Sequence, residues 1–377
     1  MTAPSTYIFA GGGTGGHLFP GIAVAQELRR MDPAARLVFV GSTRVIESTI
    51  VTEHGLEHRM LPVESLTMLK RNPFRFAWRN WQSWRAATRL LHELQPTAVI
   101  GLGGFASAPV VFAAHRHHLP VVLLEQNVIP GRTTRWLGRY ADRICVSFPE
   151  ISPQLRRLPG VIVTGNPVRE EIAALYSVES GVSSRSGQAP LRRELLILGG
   201  SQGADSLNAA VLAALRQTRQ NVSDWTIVHQ TGPRQIDQVR QTYQEQGYRA
   251  EVESFFHDMP QRYARASLVI SRAGATTLAE LACAGVAMIL LPFPHAADDH
   301  QRANAQVFVD RRAALMIQHA ANADATADQL AGAIRQLAED VERRRAMGLA
   351  AKQLAYPDAA RQIVSVIAEA IDQKRSR

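Results

Sequence analysis

The chain has 377 residues, with Lys+Arg 42 against Asp+Glu 33 and a net charge of +9; 46% of residues are hydrophobic and 20% charged. That is long for one core and suits two soluble globular domains. Cys145 and Cys283 lie in apolar runs and read as buried thiols of a reducing compartment, which excludes a disulfide framework, while the start lacks a secretory signal and no stretch is apolar enough to span a bilayer.

The charge is one-sided: residues 1–168 hold 18 basic side chains against 10 acidic ones. A basic half suggests an anionic partner, such as nucleic acid, a phosphorylated substrate or an acidic lipid surface.

Short β-like runs alternate with helix-like ones. TYIFA precedes GGGTGGHLFPG and a helix from Ala23 to Arg30; RLVFVGS precedes a helix from Ile46 to Glu53. Further strands are expected at AVIGLGG, VVLLEQN, DRICVSF and VIVTGNP. After the Ser- and Gly-rich stretch Ser177–Pro190 the plan restarts, with strands at ELLILGG, WTIVHQTG, AEVESFF, SLVISRAG and AMILLPF. The pattern predicts an α/β protein of two doubly wound parallel-sheet domains, 1–165 and 166–355, hinged near Gly165–Arg169. A last helix within 356–377 is expected to return to the first domain.

Gly11-x-Gly13-x-x-Gly16 follows a strand and opens a helix, the form of a dinucleotide fingerprint. That fingerprint needs an acid at the end of the second strand. VFVGST has none and Arg44 follows, so NAD is disfavoured and an NADP-dependent oxidoreductase stays as an alternative. The same glycines suit close helix–sheet packing, or an anionic or sugar ligand laid on bare backbone. His17 sits near the helix start, where the dipole favours a neutral imidazole suited to general-base work; a structural histidine is the ordinary alternative.

Gly199-Gly200-Ser201-Gln202-Gly203 has the form of a nucleophile elbow. Asp298, Asp299 and His300 crowd one loop and cannot supply a triad from separate strand ends, so diphosphate binding by Ser201 and nearby N–H groups fits better. In Ser271–Asn304, Gly274 frees a turn and Thr276 and Thr277 read as caps of a helix through Leu278, Glu280 and Leu281. Its start offers a phosphate site, and Glu280 can accept from ribose hydroxyls; a plain capped helix is the alternative. With no DxD, HExxH or CxxC, no metal site is expected.

Leu66–Arg89 carries six basic residues, no acid and three of the five tryptophans. Pro73 suits a first helical turn, and Phe74, Trp78, Trp81 and Trp84 recur at helical spacing beside Arg71, Arg75 and Arg79. Such a helix lies in a membrane interface near anionic lipid, unless its aromatics pack inward.

Taken together, these residues resemble the MurG family of bacterial peptidoglycan GlcNAc transferases, which have the GT-B fold. The resemblance rests on Gly12–His17 with Pro20-Gly21, Gly103-Gly104-Phe105, Glu125-Gln126-Asn127 and Gly165–Arg169. The second half adds Gly199–Ala204, Arg272–Ala275 through Glu280, and His300-Gln301 with Asn304. It implies two Rossmann-like domains facing a cleft and closing about Gly165–Arg169. The implied reaction is inverting transfer of GlcNAc from UDP-GlcNAc to the MurNAc 4-hydroxyl of undecaprenyl-pyrophosphoryl-MurNAc-pentapeptide (lipid I), giving lipid II. By position it assigns the donor to Thr14, Gly15, Gly16, Asn127, Arg169 and Ser201, and to Phe256 (backbone to uracil) with Met259. Ala275, Thr276, Thr277, Leu278, Ala279 and Glu280 would hold diphosphate and ribose, and His300 and Gln301 would face the GlcNAc.

The acceptor falls to Gly103, Gly104 and Phe105, and membrane association to Leu66, Leu69, Phe74, Trp78, Trp81 and Trp84. His17 is the expected base, with Glu125 as its alternative. No tightly bound cofactor and no nucleic acid are implied. The implied setting is peripheral, at the cytoplasmic face of the bacterial inner membrane on an anionic leaflet, with other cell-wall synthesis proteins as possible partners. A non-catalytic nucleotide-sugar-binding module is the remaining alternative.

Overall fold

The protein is described here by a computed structural model that covers residues 5–13, 15–64, 68, 71–177, 193–200, 203–319 and 322–376. Thr14, Leu66, Leu69, Ser201 and the polar stretch beyond Ser177 lie outside the described residues. The chain forms two compact units, Met1–Arg169 with Asp358–Arg377, and Glu170–Pro357.

The first unit is built on seven strands: β1 (Thr6–Gly11), β2 (Arg36–Gly41), β3 (Glu57–Met60), β4 (Ala98–Gly103), β5 (Val121–Glu125), β6 (Arg143–Val146) and β7 (Val161–Val163). Their order is β3-β2-β1-β4-β5-β6-β7, and every pairing is parallel. Alternation sends Phe9, Leu37 and Phe39 to one face and Ile8, Ala10, Val38 and Val40 to the other. Helices cover both faces, so both sets are buried and the strands read as continuous apolar runs. The Ala359–Arg375 helix packs on the Gly15–Met31 helix and gives Ile363, Ile367 and Ile371 to the Phe9 side.

The second unit holds β8 (Glu194–Leu198), β9 (Thr226–Gln230), β10 (Ala250–Glu253), β11 (Leu268–Ser271), β12 (Met288–Leu290) and β13 (Ala314–Met316). Their order is β10-β9-β8-β11-β12-β13, again all parallel. Trp225, Tyr243, Ile197 and Ile270 are among its fully buried side chains.

Three local details depart from the sequence reading. The first helix starts at Gly15, not Ala23, so His17 lies in its first turn. β3 and β13 were not foreseen: each is short and forms a sheet edge, and β3 (EHRM) carries no apolar alternation. Thr276 and Thr277 do not cap their helix, which begins at Ala275 behind Gly274 and has no side-chain cap.

Candidate functional site

In each sheet the first strand has its successor on one side and a later strand on the other. Such a reversal opens a crevice at the carboxyl ends of the two central strands, the place where open α/β sheets bind ligands. In the first unit these strands are β1 and β4, which deliver Gly11–Gly13 and Gly103–Phe105; in the second they are β8 and β11, which deliver Gly199-Gly200 and Arg272–Ala275.

In the first unit, His17 Nδ1 lies 3.0 Å from Gln126 Oε1. An amide oxygen only accepts, so with Gln126 Oε1 facing it the neutral imidazole carries its proton on Nδ1 and its lone pair on Nε2. Gly103 has φ +94°, and a Cβ there would stand 3.2 Å from the His17 ring. Glycine thus provides both the turn and the room for the imidazole.

Glu125, the other expected base, is 3% exposed and accepts from the Asn127 N–H at 3.0 Å, the Asn127 side chain at 3.3 Å and the Gly131 N–H at 3.0 Å. Both its oxygens are engaged in shaping the loop after β5. Asn127 is therefore held at this crevice by Glu125.

Glu47 is a second loop-shaping carboxylate and was not foreseen. It is fully buried and accepts from Ser42 N–H and Oγ, both at 2.7 Å. A Cβ on Gly12 would lie 2.5 Å from its Oε2, so the glycine turn rests against this carboxylate. Arg44, the residue on which an NADP reading depended, donates to Gly13 O at 3.1 Å and lies over the Phe105 ring at 5.8 Å. Arg169 lies over the Phe19 ring at 5.5 Å.

In the second unit the crevice opens on a helix start with an arginine beside it. The Ala275–Ala284 helix has no acid in its first turn. First-turn N–H groups have no partner within a helix, and they sit at the positive end of its dipole. Beside this start, Arg272 donates to Leu291 O at 2.9 Å, Ser206 Oγ at 2.6 Å and His319 Nε2 at 2.6 Å. Its Nε is buried with no partner among the described residues. Burial pushes the guanidinium down to about 10, still far above neutrality, so it remains a cation. His319 is pushed down by burial, then by Arg272 and His295, which keeps it the neutral acceptor this contact needs.

Glu280 is 7% exposed and accepts from the Tyr263 hydroxyl at 2.8 Å, which fixes its carboxylate. Phe256 is 3% exposed with the Arg262 guanidinium 4.5 Å above its ring; Met259 opens the next helix and is 7% exposed. Arg262 also binds Asp258 at 2.9 Å and Glu251 at 2.5 and 2.6 Å, and these carboxylates hold it well above the ordinary arginine range.

His300 Nδ1 contacts Ala297 O at 2.7 Å, and Gln301 Oε1 accepts from the Phe293 N–H at 2.9 Å. The Gly199 turn is tied to β9, with Gly199 N–H donating to Gln230 O at 2.9 Å. Asn208 donates to Thr231 O at 3.1 Å and accepts from His229 Nε2 at 3.1 Å, while Tyr243 OH donates to His229 Nδ1 at 2.9 Å. Full burial pushes His229 down to about 3.

The aromatic helix spans Pro73–Leu94, capped by the Asn72 side chain accepting from Arg75 N–H at 2.9 Å, with Pro73 in its first turn. Phe74, Trp78 and Trp81 are 87%, 57% and 43% exposed. Trp84 instead turns inward and packs against the core. Trp78 stacks on Trp81 at 5.1 Å, and Arg75 pairs at 3.0 Å with Glu64, an acid just outside the charge-biased stretch. Among the described residues, no helix is long and apolar enough to cross a membrane.

Of the residues that the sequence left unassigned, Arg272 had a signal: it is a lone cation immediately before a glycine turn at a strand end. Gln126 adjoins Glu125 and was visible only as part of the resemblance. Glu47 and Tyr263 reach their sites from the next helix and from 17 positions away, with no local pattern to announce them.

The glycosyltransferase family 28 N-terminal domain matches residues 7–146, and the C-terminal domain of the same family matches residues 194–363. A UDP-N-acetylglucosamine--N-acetylmuramyl-(pentapeptide) pyrophosphoryl-undecaprenol N-acetylglucosamine transferase of Syntrophotalea carbinolica is 40% identical, with 95% of this chain and 97% of the relative aligned. Its namesake from Pelobacter propionicus is 39% identical over 96% and 98%. The crystal structure of Acinetobacter baumannii MurG superposes with a TM-score of 0.77 at 28% identity, covering 97% of this chain and all of that one. The two parallel sheets are thus those of the GT-B fold, and the chain belongs to the MurG family of glycosyltransferases.

Proposed function

We infer that this chain is a lipid II-forming transferase of peptidoglycan synthesis, moving N-acetylglucosamine from UDP-GlcNAc to an undecaprenyl-linked acceptor. The observation that carries the reading is a division of labour: an imidazole with a directed lone pair in one unit, and a cation beside a helix start in the other. Transfer from a nucleoside diphosphate sugar is helped by a base for the incoming hydroxyl and by positive charge for the departing diphosphate.

In the proposed mechanism the MurNAc 4-hydroxyl oxygen attacks the anomeric carbon while its proton passes to His17 Nε2. The bond from that carbon to the β-phosphate oxygen breaks, and its electrons leave with UDP. A positioned base contributes roughly 10²–10⁴ in rate. Arg272, the first-turn N–H groups of the Ala275–Ala284 helix and the glycine turns meet the charge that builds on the diphosphate; one such donor contributes about 3–4 kcal/mol.

In the same reading Glu280, held by Tyr263, takes the ribose hydroxyls, and the Phe256 backbone with Met259 meets uracil. Ser201, Arg169, Thr14–Gly16 and Asn127 complete the donor contacts, with His300 and Gln301 toward the GlcNAc. Gly103–Phe105 faces the acceptor. No tightly bound cofactor is part of this chemistry. The exposed Phe74, Trp78 and Trp81 suit a peripheral position on an anionic cytoplasmic leaflet.

The test combines thermal shifts with UDP, UDP-GlcNAc and NADPH with transfer of labelled GlcNAc to a lipid I analogue. The expected result is stabilisation by UDP and UDP-GlcNAc, and transfer. Stabilisation by NADPH alone would sink the reading, and UDP binding without transfer would reduce it to a binding module.

A further inference from the structure

The first unit contains a groove of about 500 Å³ that the donor chemistry above does not use, and that meets the proposed acceptor surface at Phe105. Its walls include Phe76, Trp84, Phe105, Phe112 and Trp136, with Arg132 and with Glu64, whose charge is met by Arg75 at 3.0 Å. Phe112 stacks with Trp136 at 6.4 Å, and Trp136 is still 45% exposed. The volume lies within the range of small-molecule sites, and a concave aromatic surface left open to water marks a binding place.

Its location identifies the occupant. Phe105 is a wall of the groove, and Gly103, two residues earlier, adjoins the His17 imidazole. Two residues span at most about 7 Å, so the apolar groove begins within a sugar's length of the proposed base. A molecule with its reacting hydroxyl at His17 and its apolar part in the groove has a polar head joined to a linear hydrocarbon tail. Arg132 supplies a cation beside that tail for an anionic linker.

We propose that the groove is a subsite for the first isoprene units of the acceptor's polyprenyl chain, so that the enzyme holds this lipid directly and not only through its head group. The inference rests on the transferase reading above. It differs from bilayer anchoring by the exposed Phe74, Trp78 and Trp81, which the groove does not include.

The test compares lipid I analogues whose diphosphate carries either a methyl group or a chain of four isoprene units, in one detergent, for the wild type, Ala108→Trp, which fills the groove, and Phe112→Ala, which strips a wall. The wild type should show a KM for the longer chain roughly tenfold lower, as expected for burying a few apolar carbons. Ala108→Trp should erase that preference while leaving the KM for the short acceptor and for UDP-GlcNAc unchanged, with Phe112→Ala intermediate. If Ala108→Trp fails to fold by thermal melt, Phe112→Ala carries the same comparison.

An unchanged chain-length preference in the folded variants would overturn the proposal, as would equal losses on both acceptors. So would weaker partitioning onto anionic vesicles with the preference intact, which would assign the groove to bulk phospholipid. A wild type that transfers to neither acceptor refutes the transferase reading itself. Transfer to both with no preference refutes the groove alone.

Discussion

The two crevices share one scaffold and opposite electrostatics. In the first unit buried carboxylates hold the loops: Glu47 supports the Gly12 turn, Glu125 supports the turn after β5, and between them stands a directed imidazole. In the second unit the corresponding place has a helix start and Arg272, whose Nε is unmatched among the described residues. Net charge runs the other way, since the basic excess lies in the first half of the chain. On the proposed function, local placement and not overall charge decides which crevice takes an anion. In the function proposed above, the surface arginines near Trp78 and Trp81 bear on where the protein sits, and Arg272 on what it holds.

That contrast can be broken one residue at a time. His17→Ala should lower kcat by roughly 10²–10⁴ while leaving UDP-GlcNAc affinity, measured by calorimetry, nearly unchanged. A loss of donor affinity as large as the loss of kcat would show that the first crevice is not the basic one. Arg272→Met should do the opposite and weaken UDP binding roughly 10–100-fold, the worth of a charge-assisted hydrogen bond in a partly buried site. Retained UDP affinity would remove the anion site from the second unit.

Glu280→Ala should raise the donor KM roughly tenfold with little change in kcat, because ribose contacts act equally in ground and transition states. Tyr263→Phe should give a smaller rise of the same kind through the freed carboxylate. If Tyr263→Phe matched wild type while Glu280→Ala did not, the hydroxyl would be shown not to position it.

A stability test separates the units differently. His229 is held neutral, with its folded value near 3 against an ordinary 6.5. Its contribution is therefore complete above pH 6.5 and is lost as pH falls from there toward 3, at no more than about 1.4 kcal/mol per unit. His229→Asn should flatten the fall in melting temperature between pH 7 and 5; parallel slopes would exclude His229 as the cause. The smallest effect expected is on location. Trp78→Glu with Trp81→Glu should reduce partitioning onto anionic vesicles severalfold and spare transfer to a soluble acceptor. Equal partitioning would leave those rings without a membrane role.

Much of this was legible in advance, for identifiable reasons. A strand buried on both faces must be apolar throughout, so TYIFA, RLVFVGS and ELLILGG announce themselves. Glycine turns at strand ends leave fixed spacings, and these carried both crevices and the family resemblance. What escaped is equally specific. EHRM pairs only along one edge of β2 and needs no apolar pattern to do so. The threonines of the Ala275–Ala284 helix look like caps, but the chain turns into the helix at Gly274 and takes them into its first turn.

The sequence by itself determined the alternation of strand and helix, the glycine turns and the identity of the charged groups near them, because these follow from backbone sterics and from burial patterns only a few residues long. The tertiary structure alone decided which of those groups keep a free valence. Glu125 and Glu47 are engaged by loop N–H groups, Gln126 directs the His17 lone pair, and Trp84 faces inward while Trp78 faces out. The His17–Gln126 contact joins residues 109 positions apart, and even the contacts of Glu125 and Glu47, made within a few residues, depend on the direction in which each loop turns, which spacing does not carry.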